Sequence, residues 1–78
     1  LVIRFFPNPA KEQLQLQFAG APPEEEIEVR IVDMTGRLWL NQVWSGQPID
    51  LSRLTSGTYN ISLSGDGVVQ HQERLVVQ

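Results

Sequence analysis

The chain has no cysteine, one methionine, one tyrosine and a single histidine in 78 residues, and each scarcity removes a class of function. Without cysteine there is no disulfide framework, no thiolate nucleophile and no cysteine-based zinc site. Packing alone must hold a domain so small that it buries only about 60 to 65% of the surface its unfolded chain exposes. One histidine, His71, is a thin basis for acid–base catalysis, and no G-x-S-x-G elbow surrounds any serine, Ser62 and Ser64 included. The sequence therefore reads as non-catalytic, and no cofactor motif is present. Basic residues are few and scattered: six Lys and Arg against nine Asp and Glu give a net charge of -3. Nucleic-acid binding draws its affinity from clustered cations, so a nucleic-acid partner is excluded. Apolar residues run no longer than two or three in a row, against the roughly 20 that a membrane-spanning helix requires. No signal-peptide pattern opens the chain. It starts at Leu1-Val2-Ile3-Arg4-Phe5-Phe6, already strand-like and without an initiator methionine, as expected of a single domain, residues 1–78, cut from a larger protein.

What the sequence does contain is alternation. Leu14, Leu16 and Phe18 interleave with Gln13, Gln15 and Gln17; Ile27, Val29 and Ile31 with Glu28 and Arg30; Tyr59, Ile61 and Leu63 with Asn60, Ser62 and Ser64. A period of two marks strands with one buried face. Turn formers punctuate these runs: Pro7-Asn8-Pro9, Gly20-Ala21-Pro22-Pro23, Asp33-Met34-Thr35-Gly36, Ser45-Gly46-Gln47-Pro48, Ser56-Gly57 and Gly65-Asp66-Gly67. The spacing predicts strands over residues 2–6, 13–18, 26–33, 37–44, 48–51, 58–64 and 68–77. About seven antiparallel strands without an amphipathic helix predict an all-β, immunoglobulin-like sandwich. Asp33 opens one hairpin turn and Gly36 supplies its positive φ. Leu54, Gly57 and Tyr59 fit a tyrosine corner, with the ring buried and the hydroxyl bonded to upstream backbone.

Other residues invite a sharper reading and mostly take a plainer one. His71, between Gln70 and Gln72, reads as a solvent-facing strand residue. The Glu24-Glu25-Glu26 run has the oxygen ligands that calcium prefers but no calcium-loop spacing, and it reads as a solvated loop with no metal. Gly65-Asp66-Gly67 lacks the helix that a phosphate loop requires and reads as a hairpin turn. Trp39 and Trp44 lie five positions apart on one predicted strand, so regular alternation turns one of them toward solvent, where it could stack on a sugar ring. A bulge between them would return both to one face as core or edge fillers, and this is the preferred reading.

Four segments, in order, carry a family resemblance. Phe6-Pro7-Asn8-Pro9-Ala10 follows the first strand. Ile31-Val32-Asp33-Met34-Thr35-Gly36-Arg37 forms the central hairpin. Ile49-Asp50-Leu51-Ser52-Arg53-Leu54-Thr55-Ser56-Gly57-Thr58-Tyr59 makes the longest block, and Glu73-Arg74-Leu75-Val76-Val77-Gln78 closes the chain. Together they resemble the C-terminal sorting domain of type IX (Por) secretion system cargo, type A. The chain departs from that pattern at its end, where many members have lysine or arginine and this one has Gln78.

The resemblance implies a seven-stranded sandwich at the C-terminus of an exported protein, carried first to the periplasm and then to the outer membrane, cell surface or medium. The implied partners are the type IX translocon and an outer-membrane shuttle or sortase-like peptidase, with an unknown cargo covalently ahead of the domain. The expected partner-binding residues are Arg74, Leu75, Val76, Val77 and Gln78, a terminal strand whose unpaired backbone groups could extend a partner's sheet; the alternative is that the same residues complete this domain's own sheet. Pro7, Asn8, Pro9, Asp33, Gly36, Leu54, Gly57 and Tyr59 are the family's structural positions. Trimming Val76 to Gln78 is expected to damage export while leaving the fold largely intact. The patchwork surface predicts little salt dependence, and free edge strands leave dimerisation open. The competing reading is a carbohydrate-binding or adhesive module of a secreted enzyme, resting on Trp39 or Trp44.

Overall fold

The computed structural model describes residues 2–21 and 24–78; Leu1, and Pro22 and Pro23 of the expected acidic loop, lie outside the described residues. Seven strands follow in order: β1 (Val2–Phe6), β2 (Gln13–Phe18), β3 (Ile27–Asp33), β4 (Leu38–Val43), β5 (Ile49–Asp50), β6 (Gly57–Gly65) and β7 (Val68–Val77). They form two antiparallel sheets, β1-β2-β5 and β4-β3-β6-β7. The chain changes sheet after β2, β4 and β5, which in immunoglobulin lettering gives ABE packed on C′CFG.

Alternation explains which side of each strand faces inward. On β3 the buried residues are Ile27, Val29 and Ile31, and on β6 they are Tyr59, Ile61 and Leu63. Val29 stands opposite Leu63 and Ile31 opposite Ile61 across the ladder, and Leu14, Ile49, Leu51 and Leu75 join the same core without measurable exposure. Removing each such side chain from water contributes roughly 1.5–3 kcal/mol. No side-chain polar atom is left buried without a partner among the described residues.

The turns follow their residues. At the β3–β4 hairpin the Gly36 amide donates to the Asp33 carbonyl (3.0 Å) and the Asp33 amide to the Arg37 carbonyl (2.9 Å). Gly36 takes φ 88°, a conformation that a Cβ would strain. At the β6–β7 hairpin Asp66 and Gly67 both have positive φ, 52° and 78°, as a two-residue type I′ turn requires. The β4 strand is shorter than expected because Arg37 is held in the turn. Trp44 lies past its end, yet its amide still donates to the Ile27 carbonyl at 2.8 Å.

The register of β3 against β4 shifts so that Ile31 faces Leu40 while Val32 faces Leu38. Trp39 is therefore the extra residue of a bulge, and both tryptophans come to rest partly buried against the core. Trp39 meets the Tyr59 ring edge-on at 6.4 Å and Trp44 packs on Phe18 at 5.0 Å. Arg37 also lies over the Trp39 ring, 4.6 Å from its centroid.

Candidate functional site

The segment from Pro7 to Ala10 is short and cannot form a strand, since proline lacks the amide that a ladder needs. It nevertheless runs along the outer edge of β7. The Asn8 side-chain amide donates to the Arg74 carbonyl (2.7 Å), and the Val76 amide donates back to Asn8 Oδ1 (3.0 Å). Two residues on, the Ala10 amide donates to the Val76 carbonyl and the Gln78 amide to the Ala10 carbonyl, both at 2.8 Å. Asn8 thus offers its carboxamide where a neighbouring strand would offer a peptide group, and Ala10, 1% exposed, continues the pairing. The other edge of β7 is paired with β6 from Gly57↔Val77 to Gly65↔Val68. From Arg74 to Val77 the final strand is consequently bonded along both edges.

The five expected partner-binding residues divide by face. Leu75 and Val77 are inside the sandwich at 0% and 3% exposure. Arg74 and Gln78 are exposed, and Val76 is half-buried on the outer face. Trimming Val76 to Gln78 would remove Val77 from the core and take away both of Ala10's partners, so the expectation that the fold survives such trimming is not supported by this packing. A concavity of about 610 Å³ opens beside the Asn8 segment, lined by Pro7, Pro9, Lys11, Glu12, Gln13, Gln15 and Gln78.

His71 is not solvent-facing as its glutamine neighbours suggested. It pairs with Leu63 and shares inward parity with Leu75 and Val77, which places it at the seam between β7 and β1. There His71 Nε2 lies 2.6 Å from Glu73 Oε2, the same oxygen accepts the Phe5 amide at 3.1 Å, and the imidazole packs on Phe5 at 5.4 Å. The pair joins the edges of the two sheets, and its alternation with Leu75 was the sequence signal for it.

The remaining motif residues build turns and corners. Asp33 Oδ1 accepts the Thr35 hydroxyl (2.6 Å) and the amides of Thr35 (2.9 Å) and Arg37 (3.0 Å), while Oδ2 accepts the Trp39 indole N–H (2.9 Å). The Thr35 hydroxyl first, then the Trp39 indole, hold its carboxyl well below the usual carboxylate range. Asp50 caps the next turn by accepting the Ser52 amide at 2.9 Å, and this backbone bond, followed by one to the Ser52 side chain, lowers its pKa as well. Glu25 moves the other way, raised chiefly by its hydrogen bond with Asp66. Tyr59, 3% exposed, donates its hydroxyl to the Thr55 carbonyl at 2.6 Å, which is the tyrosine corner. Leu54 is buried beside it, and Gly57 adopts φ 158° at the entry to β6.

Sequence comparison agrees with this architecture. A family model described as "Secretion system C-terminal sorting domain" matches residues 4–78, nearly the whole chain. No curated protein and no solved structure matches.

Proposed function

Because this chain belongs to the secretion system C-terminal sorting domain family, the sorting signals of type IX secretion cargo, we propose that the domain is read in its folded form by the outer-membrane machinery of that system. The contact is made through the outward side chains of the final strand, Arg74, Val76 and Gln78. Leu75 and Val77 serve by anchoring that strand in the core. The observation that carries this reading is the double-edged pairing of Arg74 to Val77. A strand with both edges bonded offers side chains to a partner rather than free backbone groups.

The domain performs no chemistry in this reading; it is a ligand of the translocon and of a shuttle or peptidase. Its cargo precedes it, and the cargo's final location is the cell surface or the medium. A periplasm-targeted fluorescent reporter fused to residues 1–78 tests the assignment of the tail. The Arg74→Ala fusion should accumulate in the periplasm while its thermal melt matches wild type. Export undiminished by Arg74→Ala and by Val76→Ser would remove the tail from the recognised surface.

A further inference from the structure

The outer face of the four-stranded sheet has a charge pattern that the overall balance conceals. Of the six basic residues, Lys11 lines the concavity beside the Asn8 segment, Arg4 is engaged with Gln17 at 2.7 Å and lies over the Phe6 ring, and Arg37 stacks on Trp39 at 4.6 Å. Arg53 has the Asp50 carboxylate for company. Arg30 and Arg74 are different: both are exposed, and among the described residues the one ion pair, His71–Glu73, includes neither. Arg74 takes part in the Asn8 clasp only through its backbone carbonyl.

Register places both arginines on one face. Arg30 on β3 stands opposite Ser62 of β6, and Arg74 on β7 stands opposite Asn60 of the same strand. Their Cα atoms are separated by two strand spacings and two residues, roughly 12 Å by ordinary sheet geometry. Between them Asn60 and Ser62 are short, polar and half-buried, so the long guanidinium arms flank a shallow floor that can donate and accept hydrogen bonds. Glu28, opposite Ser64, puts a negative charge at one end of the same face and gives it polarity.

We propose that this face, centred on Arg30 and Arg74, docks a protein surface bearing two carboxylates, one for each guanidinium. Charge complementarity selects the occupant. Two guanidinium forks on one face attract carboxylates and repel cations locally although the domain as a whole is acidic, and arginine matches a carboxylate bidentately. Separate forks suit two carboxylates better than one compact anion. The inference rests on the sorting reading, names the chemistry of the partner, and adds Arg30, which no motif singled out. It also replaces the expected indifference to salt with a salt-sensitive encounter.

Two measurements test it together. In a host with an intact type IX system, reporter export by Arg30→Gln should fall at least about tenfold with an unchanged thermal melt. Arg30→Lys should retain part of that export, and the Arg53→Gln control should stay within about twofold of wild type. Export by Arg30→Gln equal to wild type overturns the proposal while leaving the sorting reading in place. Independently of export, titration of the isotopically labelled chain with a hexaglutamate peptide should shift the Arg30 and Arg74 side-chain resonances and the Asn60 and Ser62 amides, and high salt should abolish those shifts. Shifts absent from that face, or confined to Lys11 and Arg53, overturn it even where the wild-type reporter is not exported at all.

Discussion

Replacing Asn8 with alanine removes two hydrogen bonds from the outer edge of β7, the 2.7 Å bond to the Arg74 carbonyl and the 3.0 Å bond from the Val76 amide. Each is worth a net 0.5–1.5 kcal/mol, and because Asn8 is exposed water can replace part of what is lost, so about 1–2 kcal/mol is the expected cost. For a domain of this size that corresponds to a fall in Tm of roughly 5–15 °C. The Ala10 bonds to Val76 and Gln78 remain, so the strand should loosen at its edge without leaving the sheet. Asn8→Asp keeps the acceptor for the Val76 amide and loses the donor to Arg74, and it should fall between alanine and wild type. Thermal denaturation followed by circular dichroism gives the magnitude, and hydrogen exchange at the Val76 amide gives the location. A loss below about 0.3 kcal/mol with unchanged Val76 protection would refute the idea that the asparagine acts as a strand in miniature.

Three further outcomes follow from the same structure. Tyr59→Phe keeps the ring against Trp39 but strands the Thr55 carbonyl, costing about 1–2 kcal/mol in chemical denaturation; a neutral result would mean the corner bond is not structural. Gly36→Val, at φ 88° with open space around it, should lose about 1–2 kcal/mol through backbone strain alone, read from its denaturation midpoint. Acid should also destabilise the domain in a defined direction. The Asp33 carboxyl is depressed by its Thr35 and Trp39 bonds, so its contribution is present above the ordinary aspartate pKa of about 4 and is lost as pH falls below it. Melts from pH 5 to pH 2 should therefore drop less steeply for Asp33→Asn than for wild type, and parallel slopes would contradict the assignment.

The succession of strands was legible because β2, β3 and β6 each obey one simple period, and because Asp33-x-x-Gly36 and Asp66-Gly67 specify their turns by backbone chemistry alone. The tyrosine corner was legible for the same reason, since Gly57 and Tyr59 fix a local geometry. What escaped was everything that depends on which strands become edges. Asn8 reads as a turn residue until β7 is known to lie beside it, so the sequence left open whether the tail is a free edge or completes this domain's own sheet, and the Asn8 segment pairs it. His71 was misplaced by its polar neighbours although Leu75 and Val77 set its parity. Arg30 and Arg74 lie 44 positions apart in sequence, and only the β3-β6-β7 register brings them to one face. Charge counted along the chain gave a patchwork; charge placed on the sheet gave a pair.

The central claim is that this folded domain is by itself a sufficient address for type IX export. It is tested most directly by following a periplasm-targeted fluorescent reporter fused to residues 1–78 in a host with the intact system and in its translocon-deficient counterpart. Reporter is expected outside the cell, or on its surface, only in the intact host. Reporter held in the periplasm of both hosts, with the domain folded, would contradict it.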